Sequence, residues 1–355
     1  MARGALRSGR GFTLVEALVL AGAFGAGAAM LGVMSQPPAA ETPNPAKPAQ
    51  PLSEPPPSSG GQAEPNPGLL FAMARARASA RQLKCSTQVR GIAQSMIVWA
   101  ANNDGKYPLP SEFDAANQTV SEVGRAKDTT ANIYSLLIQN GNISCEICVC
   151  PDEHAKSIKP YEKYEYTAPS KAVKPADALW DPAFSADFVS GKGRVSYAHL
   201  QPSGDFANTG QKGKDGKPVL EPTGRLKMWS DTYDTSEAVV GDRGPEILSV
   251  EAAKPDDAGS YKPKTKLAES VTFKNHGDPK TWEGNIAFND CHVAYLTALG
   301  PLSGQSTHFY KTKEGAKRAD TIFFDEPDDP AAMNTFLGIF PKAGRTPGEF
   351  QSIWD

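Results

Sequence analysis

The order of signals along the chain predicts an α+β fold. It would comprise an N-terminal transmembrane helix, a Pro-rich linker, and a head with one amphipathic helix packed on a mainly antiparallel sheet. Three observations predict it. An apolar run from Phe12 to Met34 contains a single ionisable residue, Glu16. A stretch rich in Pro, Ala, Ser, Glu and Gly follows, over 37–68. Beyond it, helical periodicity comes first and strand-like alternation later, the pattern of α+β chains.

As a helix at ~1.5 Å per residue, the apolar run reaches roughly 35 Å, enough to cross a hydrocarbon core. Gly22, Gly25, Gly27 and Gly32 suit close helix–helix approach in lipid. Arg3, Arg7 and Arg10 precede the run and direct the rest of the chain away from the cytoplasm. A secretory signal would have a shorter apolar region, of ~7–15 residues. A plain anchor leaves Glu16 unexplained, because a charge near bilayer depth costs ~2.5 kcal/mol or more and needs a partner.

The linker has no apolar surface to offset its ordering entropy, and reads as a partly extended, polyproline-like tether. From Leu69 to about Asn103, Leu83, Cys85, Val89, Ile92, Met96 and Trp99 fall near three–four spacing and form an apolar stripe. Asn102-Asn103-Asp104-Gly105 supplies the helix stop. Arg75, Arg77, Arg81 and Lys84 lack an aromatic platform, so they read as a solvated face rather than a phosphate or lipid contact. Ala131–Ile138 predicts a short helix and Arg194–Leu200 a strand. Gly204 to Lys217 reads as a mobile surface loop. Leu226–Asp231 and Glu237–Asp242 are candidate strands, and Asn285–Asn289 with His292–Leu296 read as two arms of a hairpin. Cys291 stands where the hairpin turn favours glycine, so the turn is expected to shift to Asn289-Asp290 or to widen. An amphipathic piece covers Met333 to Phe340.

The 355 residues suffice for one large or two modest domains, and a net charge of -3 gives no reason to expect nucleic acid. All five cysteines follow the apolar run, hence on the expected oxidising side. Cys145-x-x-Cys148-x-Cys150-Pro151 with His154 could surround one tetrahedral zinc. Disulfides and free thiols are the alternatives, and the odd count requires at least one unpaired or intermolecular sulfur, or a metal ligand. A thiol oxidoreductase fits poorly, since Cys145-x-x-Cys148 does not open a helix after a strand. Asp231, Asp234, Asp242 and the acidic loop at Asp325 offer oxygens for calcium, but without EF-hand spacing they read as solvated loops. His276, Asp290 and His292 could form an acid–base set. No nucleophile motif accompanies them, so they read as structural and no enzyme is expected. His199 and His308 read as ordinary lone histidines.

Gly11-Phe12-Thr13-Leu14-Val15-Glu16 resembles the G-F-T-L-[IV]-E signature of type IV pilin-like proteins. The resemblance implies cleavage after Gly11, N-methylation of Phe12, and a Glu16 carboxylate that meets the free amine of a neighbouring subunit. The stretch from Ala74-Arg75-Ala76-Arg77 through Cys85 to Asp104-Gly105-Lys106-Tyr107-Pro108 is similar to a group of these proteins related to the major pseudopilin of type II secretion. That group carries a downstream His…Asp-Gly motif. Asn275-His276, Gly284-Asn285 and Asp290-Cys291-His292 resemble it in degenerate form, with thirteen residues instead of nine between His276 and Asp290. Val240-Gly241-Asp242-Arg243-Gly244-Pro245 resembles its preceding strand end. Cys150-Pro151-Asp152 resembles its C-P-S-D loop, which lies near the helix cysteine. A Cys85–Cys150 disulfide beside Cys145–Cys148 is one expectation, against zinc or free thiols.

The resemblance implies a prepilin leader at 1–11, a transmembrane assembly helix at 12–36, the linker at 37–68 and a pilin-like head at 69–355. It implies a structural subunit of a type II secretion or type IV pilus-like assembly. Its partners would be the prepilin peptidase, an assembly ATPase with its membrane platform, and sibling pilins. It would sit as a single-pass protein in the bacterial inner membrane, head in the periplasm or at the cell surface, with no cofactor required; zinc or calcium stays open. The interrupted helix supports an alternative, a membrane-tethered binding or surface module that never polymerises. A secreted metal-dependent enzyme rests only on the Cys145–His154 cluster.

Overall fold

One long helix organises the head. The computed structural model describes residues 67–355, apart from 214–215, 253, 255–256, 258–259, 278–279 and 301–306. Gly11, Phe12, Glu16, the predicted helix at 12–36 and the linker up to Asn66 lie outside the described residues. Helix α1 spans Pro67–Ala101. Its residues 68–81 are exposed on every face, whereas Cys85, Val89, Ile92, Ala93, Met96, Trp99 and Ala100 are buried. Each fully buried Val, Ile or Met on that stripe contributes about 1.5–3 kcal/mol. Leu83, expected in the stripe, is 69% exposed, so the packed half begins at Cys85. The helix stops because Asn102 and Asn103 donate side-chain hydrogen bonds to the carbonyls of Val98 and Trp99. Asp104 and Gly105 then turn left-handed, with φ of 53° and 75°.

The packed half of α1 lies on a five-stranded antiparallel sheet. Its strands are β1 (Tyr197–Leu200), β4 (Ala238–Asp242), β7 (Gly284–Phe288), β8 (Val293–Leu296) and β11 (Leu337–Gly338), in the order β11-β1-β4-β7-β8. In register, Tyr197 faces Asp242 across β1 and β4, and Gly241 faces Ile286 across β4 and β7. A Cβ on Gly241 would lie 2.7 Å from the Asn285 carbonyl oxygen, so only glycine allows β4 and β7 to close beside Asp242. Helix α3 (Thr130–Gln139), with Thr129 as its N-cap, buries Ile133, Tyr134, Leu136, Leu137 and Ile138 in the same core. Helices α2 (Pro110–Phe113) and α4 (Phe273–His276) have four residues each. Three ribbons complete the head: β2 (Phe206–Lys212) with β3 (Pro218–Pro222), β5 (Ile247–Ala252) with β6 (Tyr261–Thr265), and β9 (Phe309–Lys311) with β10 (Lys317–Ala319). The buried indoles of Trp180, Trp229 and Trp282 donate to Asn132 Oδ1 and to the Pro108 and Arg243 carbonyls, each at 3.0 Å.

The expected fold class needs correction. Among the described residues no helix is long and apolar enough to cross a membrane. Helix α1 has the length but carries Arg75, Arg77, Arg81, Lys84 and Arg90. The α+β class also fits only loosely. Beyond the one sheet, the head is built from separate ribbons and long irregular segments, as befits a chain punctuated by 32 Gly and 30 Pro. Two local expectations change as well. The strand expected from Leu226 is a 3-10 turn at Gly224–Lys227, and the loop expected at Gly204–Lys217 includes β2. The hairpin turn widens. Cys291 N–H donates to the Phe288 carbonyl at 2.8 Å, Phe288 N–H to His292 at 3.0 Å, and Cys291 takes φ of 64°. That is a three-residue loop with a left-handed third position, where glycine is normally preferred.

Candidate metal centre

Four segments far apart in the sequence deliver one ligand each. Cys85 projects from the first packed turn of α1. Cys150 follows the 3-10 turn Cys145–Cys148, at the start of the Cys150-Pro151-Asp152-Glu153 loop. Asp242 ends β4, and His276 ends α4. Their ligand atoms all lie within 4.8 Å of one another, and the quartet could hold a metal ion. All four side chains are buried, with Cys85 0% exposed, Cys150 and Asp242 each 3%, and the His276 ring 1%.

The distances test the fit. Cys85 Sγ lies 3.2 Å from Asp242 Oδ1, Cys150 Sγ 3.3 Å from His276 Nε2, and His276 Nε2 3.4 Å from Asp242 Oδ2. With metal–ligand bonds of about 2.0–2.3 Å, a tetrahedron around zinc has edges of about 3.3–3.8 Å. Two sulfurs, one imidazole nitrogen and one carboxylate make a tetrahedral donor set of the zinc type. His276 Nδ1 is buried and makes no hydrogen bond, although Asp152 Oδ2 stands 3.7 Å away.

The surroundings hold the ligands in place. Asn285 donates its backbone N–H at 2.8 Å and its side-chain amide at 3.1 Å to Asp242 Oδ2. Tyr197 O–H donates to Gln88 Oε1 at 2.9 Å, and its oxygen lies 3.6 Å from Cys85 Sγ. Arg243, next to Asp242, is buried and forms an ion pair with Glu153 at 2.8 Å, which fastens the Cys150 loop to the end of β4. Arg243 also binds Asp355, whose other oxygen accepts from Ser270 Oγ at 2.9 Å just before α4. His154 N–H donates to Asn275 Oδ1 at 3.1 Å, tying the loop to α4 directly.

The quartet polarises its own members. Burial drives the Cys85 thiol well up. Cys150 moves down, chiefly because Cys85 hydrogen-bonds to it, and His276 adds to the effect against burial. Burial opposes charge on His276, but hydrogen bonds and charges from Asp242 and Cys150 outweigh it and push the ring up to about 10. A soft divalent cation bound here would displace the protons these groups carry, so its binding would release protons.

Other expected site residues are distributed differently. All five cysteines are free thiols, so neither the Cys85–Cys150 nor the Cys145–Cys148 disulfide is formed. The zinc knuckle is also corrected, because Cys145, Cys148 and His154 stay outside the quartet. Cys148 Sγ donates to the Ser144 carbonyl at 3.4 Å, and burial pushes the Cys145 thiol up to about 11. The His154 side chain is 52% exposed, on the rim. Asp290 and His292 pair with each other at 2.6 Å at the hairpin tip, His292 stacked on Phe288, while His276 keeps its own partners. The acid–base set therefore does not assemble. Among the described residues the acidic candidates for calcium form no ligand group, and Asp325 is paired with Arg225 instead. Asp242 enters the quartet with sulfur neighbours rather than as a calcium ligand. Asp152 and Glu153 were not among the expected site residues; the signals for them were their place beside Cys150 and, for Asp152, the resemblance of Cys150-Pro151-Asp152 to the C-P-S-D loop.

No family model, no curated protein and no solved structure matches the chain.

Proposed function

We propose that the chain is a pilin-like structural subunit of a type II secretion or type IV pilus-like envelope assembly, without enzymatic activity. The Gly11-Phe12-Thr13-Leu14-Val15-Glu16 run carries the reading. A prepilin peptidase recognises Gly11 and Phe12, and Glu16 receives the new amine of a neighbouring subunit. The form of α1 supports it: the sheet holds the C-terminal half, while residues 68–81 keep every face open to sibling subunits or an assembly platform. The two stretches that carry the head's resemblance also meet, through a Tyr107 O–H to Asn289 Oδ1 hydrogen bond of 2.5 Å. On this reading the protein works at the bacterial inner membrane, its head in the periplasm or at the cell surface.

Mass spectrometry of the native protein is the direct test. The expected N-terminus is methylated Phe12; a chain that begins at Met1, or near Ser35, overturns the reading. The Pro-rich interruption before α1 favours a second reading, a tethered head that does not polymerise. Crosslinks between helices of different subunits would exclude it.

For the metal centre, zinc is the ion we infer. Calcium takes about six to eight oxygens, and this quartet supplies one carboxylate beside two sulfurs. Metal analysis of the purified chain should return one zinc per molecule.

A further inference from the structure

The zinc reading leaves open whether the centre does chemistry or holds the fold. We propose that it is a closed structural clamp on which docking of α1 depends, with Asp152 as the positioning residue for His276. The inference rests on the zinc reading and extends it to what the ion does and how it is held.

Catalytic zinc keeps one position for water or substrate, usually with three protein ligands, whereas structural sites use four. Four protein groups are available here, as many as a structural zinc takes. All four are buried, and none lines any of the four described cavities. None of these four cavities reaches the quartet, and four protein groups would already satisfy a tetrahedral ion.

The ligands also sit where a crosslink matters. Cys85 is the first buried residue of α1, at the boundary between its free and packed halves. Below it, among the described residues, an apolar stripe and the Gln88–Tyr197 hydrogen bond join the helix to the sheet. One ion at Cys85 ties that boundary to the end of β4 through Asp242, to α4 through His276, and to the Cys150 loop. Without an ion, the same core position contains two thiols whose contacts with Asp242 and His276 are long, 3.2 and 3.3 Å, a costly arrangement in an apolar setting. Most of the free energy of metal binding then becomes folding free energy.

Asp152 completes the description. Ligating histidines almost always donate their second ring nitrogen to a carboxylate, carbonyl or water. His276 presents Nε2 to the quartet and Nδ1 towards Asp152 Oδ2, 3.7 Å away. Asp152 Oδ1 is held at 2.6 Å by Arg81 Nε, in the exposed half of α1. The carboxylate thus reads the helix on one side and orients the ligand on the other.

The test uses the full chain. Co(II) replaces the native ion in wild type, and the spectrum is read for thiolate charge transfer and the intense d–d bands of tetrahedral cobalt. Both are expected. Chelation should then lower the Tm and raise amide exchange in the Cys85–Ala100 segment more than in β9–β10. A Tm and exchange pattern unchanged by chelation, in a chain that does bind zinc, overturns the clamp and leaves the zinc reading standing. Absence of stoichiometric zinc overturns the zinc reading itself. D152A should weaken zinc binding about 10–100-fold in competition with a chelator, with the metal-free Tm unchanged. R81A, which removes only the outer partner of Asp152, should do less. Equal affinity in D152A and wild type removes the positioning role.

Discussion

Two pairs of cysteines in this head meet different fates. Cys145 and Cys148 are neighbours in sequence, share one 3-10 turn, and end as buried thiols in an apolar setting. Cys85 and Cys150 are separated by two helices and a loop, yet they converge with Asp242 and His276 within 4.8 Å. Spacing alone favoured the first pair. Convergence is the work of the sheet and of the Arg243 ion pairs, which place a loop, a strand end and a short helix against one turn of α1. Metal-binding geometry is a property of positions in space, and a short turn cannot direct Cys145 and Cys148 to a common centre while both side chains fill the core.

The comparison is broken most directly at a ligand. Asp242→Ala removes a quartet member and leaves Asn285 without its acceptor, and should cost more than about 4 kcal/mol or abolish folding. Urea denaturation with and without added zinc checks it, and the mutant should show no response to zinc. Next in size is Arg243→Met. It strands Glu153 and Asp355 as buried or half-buried charges and should cost about 3–5 kcal/mol. A zinc affinity that falls along with stability would show that the ion pairs organise the quartet.

A second histidine sharpens the contrast. His199 accepts from the Thr130 hydroxyl at 2.8 Å, donates to the Leu200 carbonyl at 2.8 Å, and burial holds its pKa down to about 4. Folded protein keeps this ring neutral while the unfolded chain protonates it below about 6.5, so the unfolded state binds more protons between those values. The stability cost is absent above about pH 6.5 and grows as pH falls, reaching about 3 kcal/mol near pH 4. Comparison with His199→Gln by denaturant titration from pH 7 to pH 4 isolates it, because glutamine does not titrate and removes this slope.

Two smaller effects complete the set. Cys148→Ala should cost about 1 kcal/mol in packing and leave zinc content unchanged; a loss of zinc would move the centre to the sequence-local cluster. Cys291→Gly relieves a left-handed position at the hairpin turn and should stabilise the head by up to about 1 kcal/mol, seen as a higher Tm.

Much of the head was legible in local pattern. Apolar residues at three–four spacing marked the packed half of α1, and strand-forming runs marked β1, β4, β7 and β8, because these signals depend on local composition and periodicity. The exposed Leu83 and the 3-10 turn at Gly224 were not legible, since burial of a given face depends on how far the sheet extends beneath it. His276 and Asp242 each lay within segments resembling the pilin group, but nothing in their spacing predicted that they would meet across Cys85 and Cys150. Asp152 lay in the stretch resembling the C-P-S-D loop, without a role assigned to it, and Glu153 had no pattern of its own. Their roles come from Arg81, His276 and Arg243, all distant in the chain.

By itself the sequence marked the packed half and the stop of α1, helix α3, the segments of β1, β4, β7 and β8, and the Gly11–Glu16 run on which the assembly reading rests. Such features follow from short-range periodicity and backbone preference. Only the tertiary structure decided which two of five cysteines share a site, and which carboxylate and histidine join them. Packing α1 on the sheet sets distances between residues that sequence order leaves unrelated.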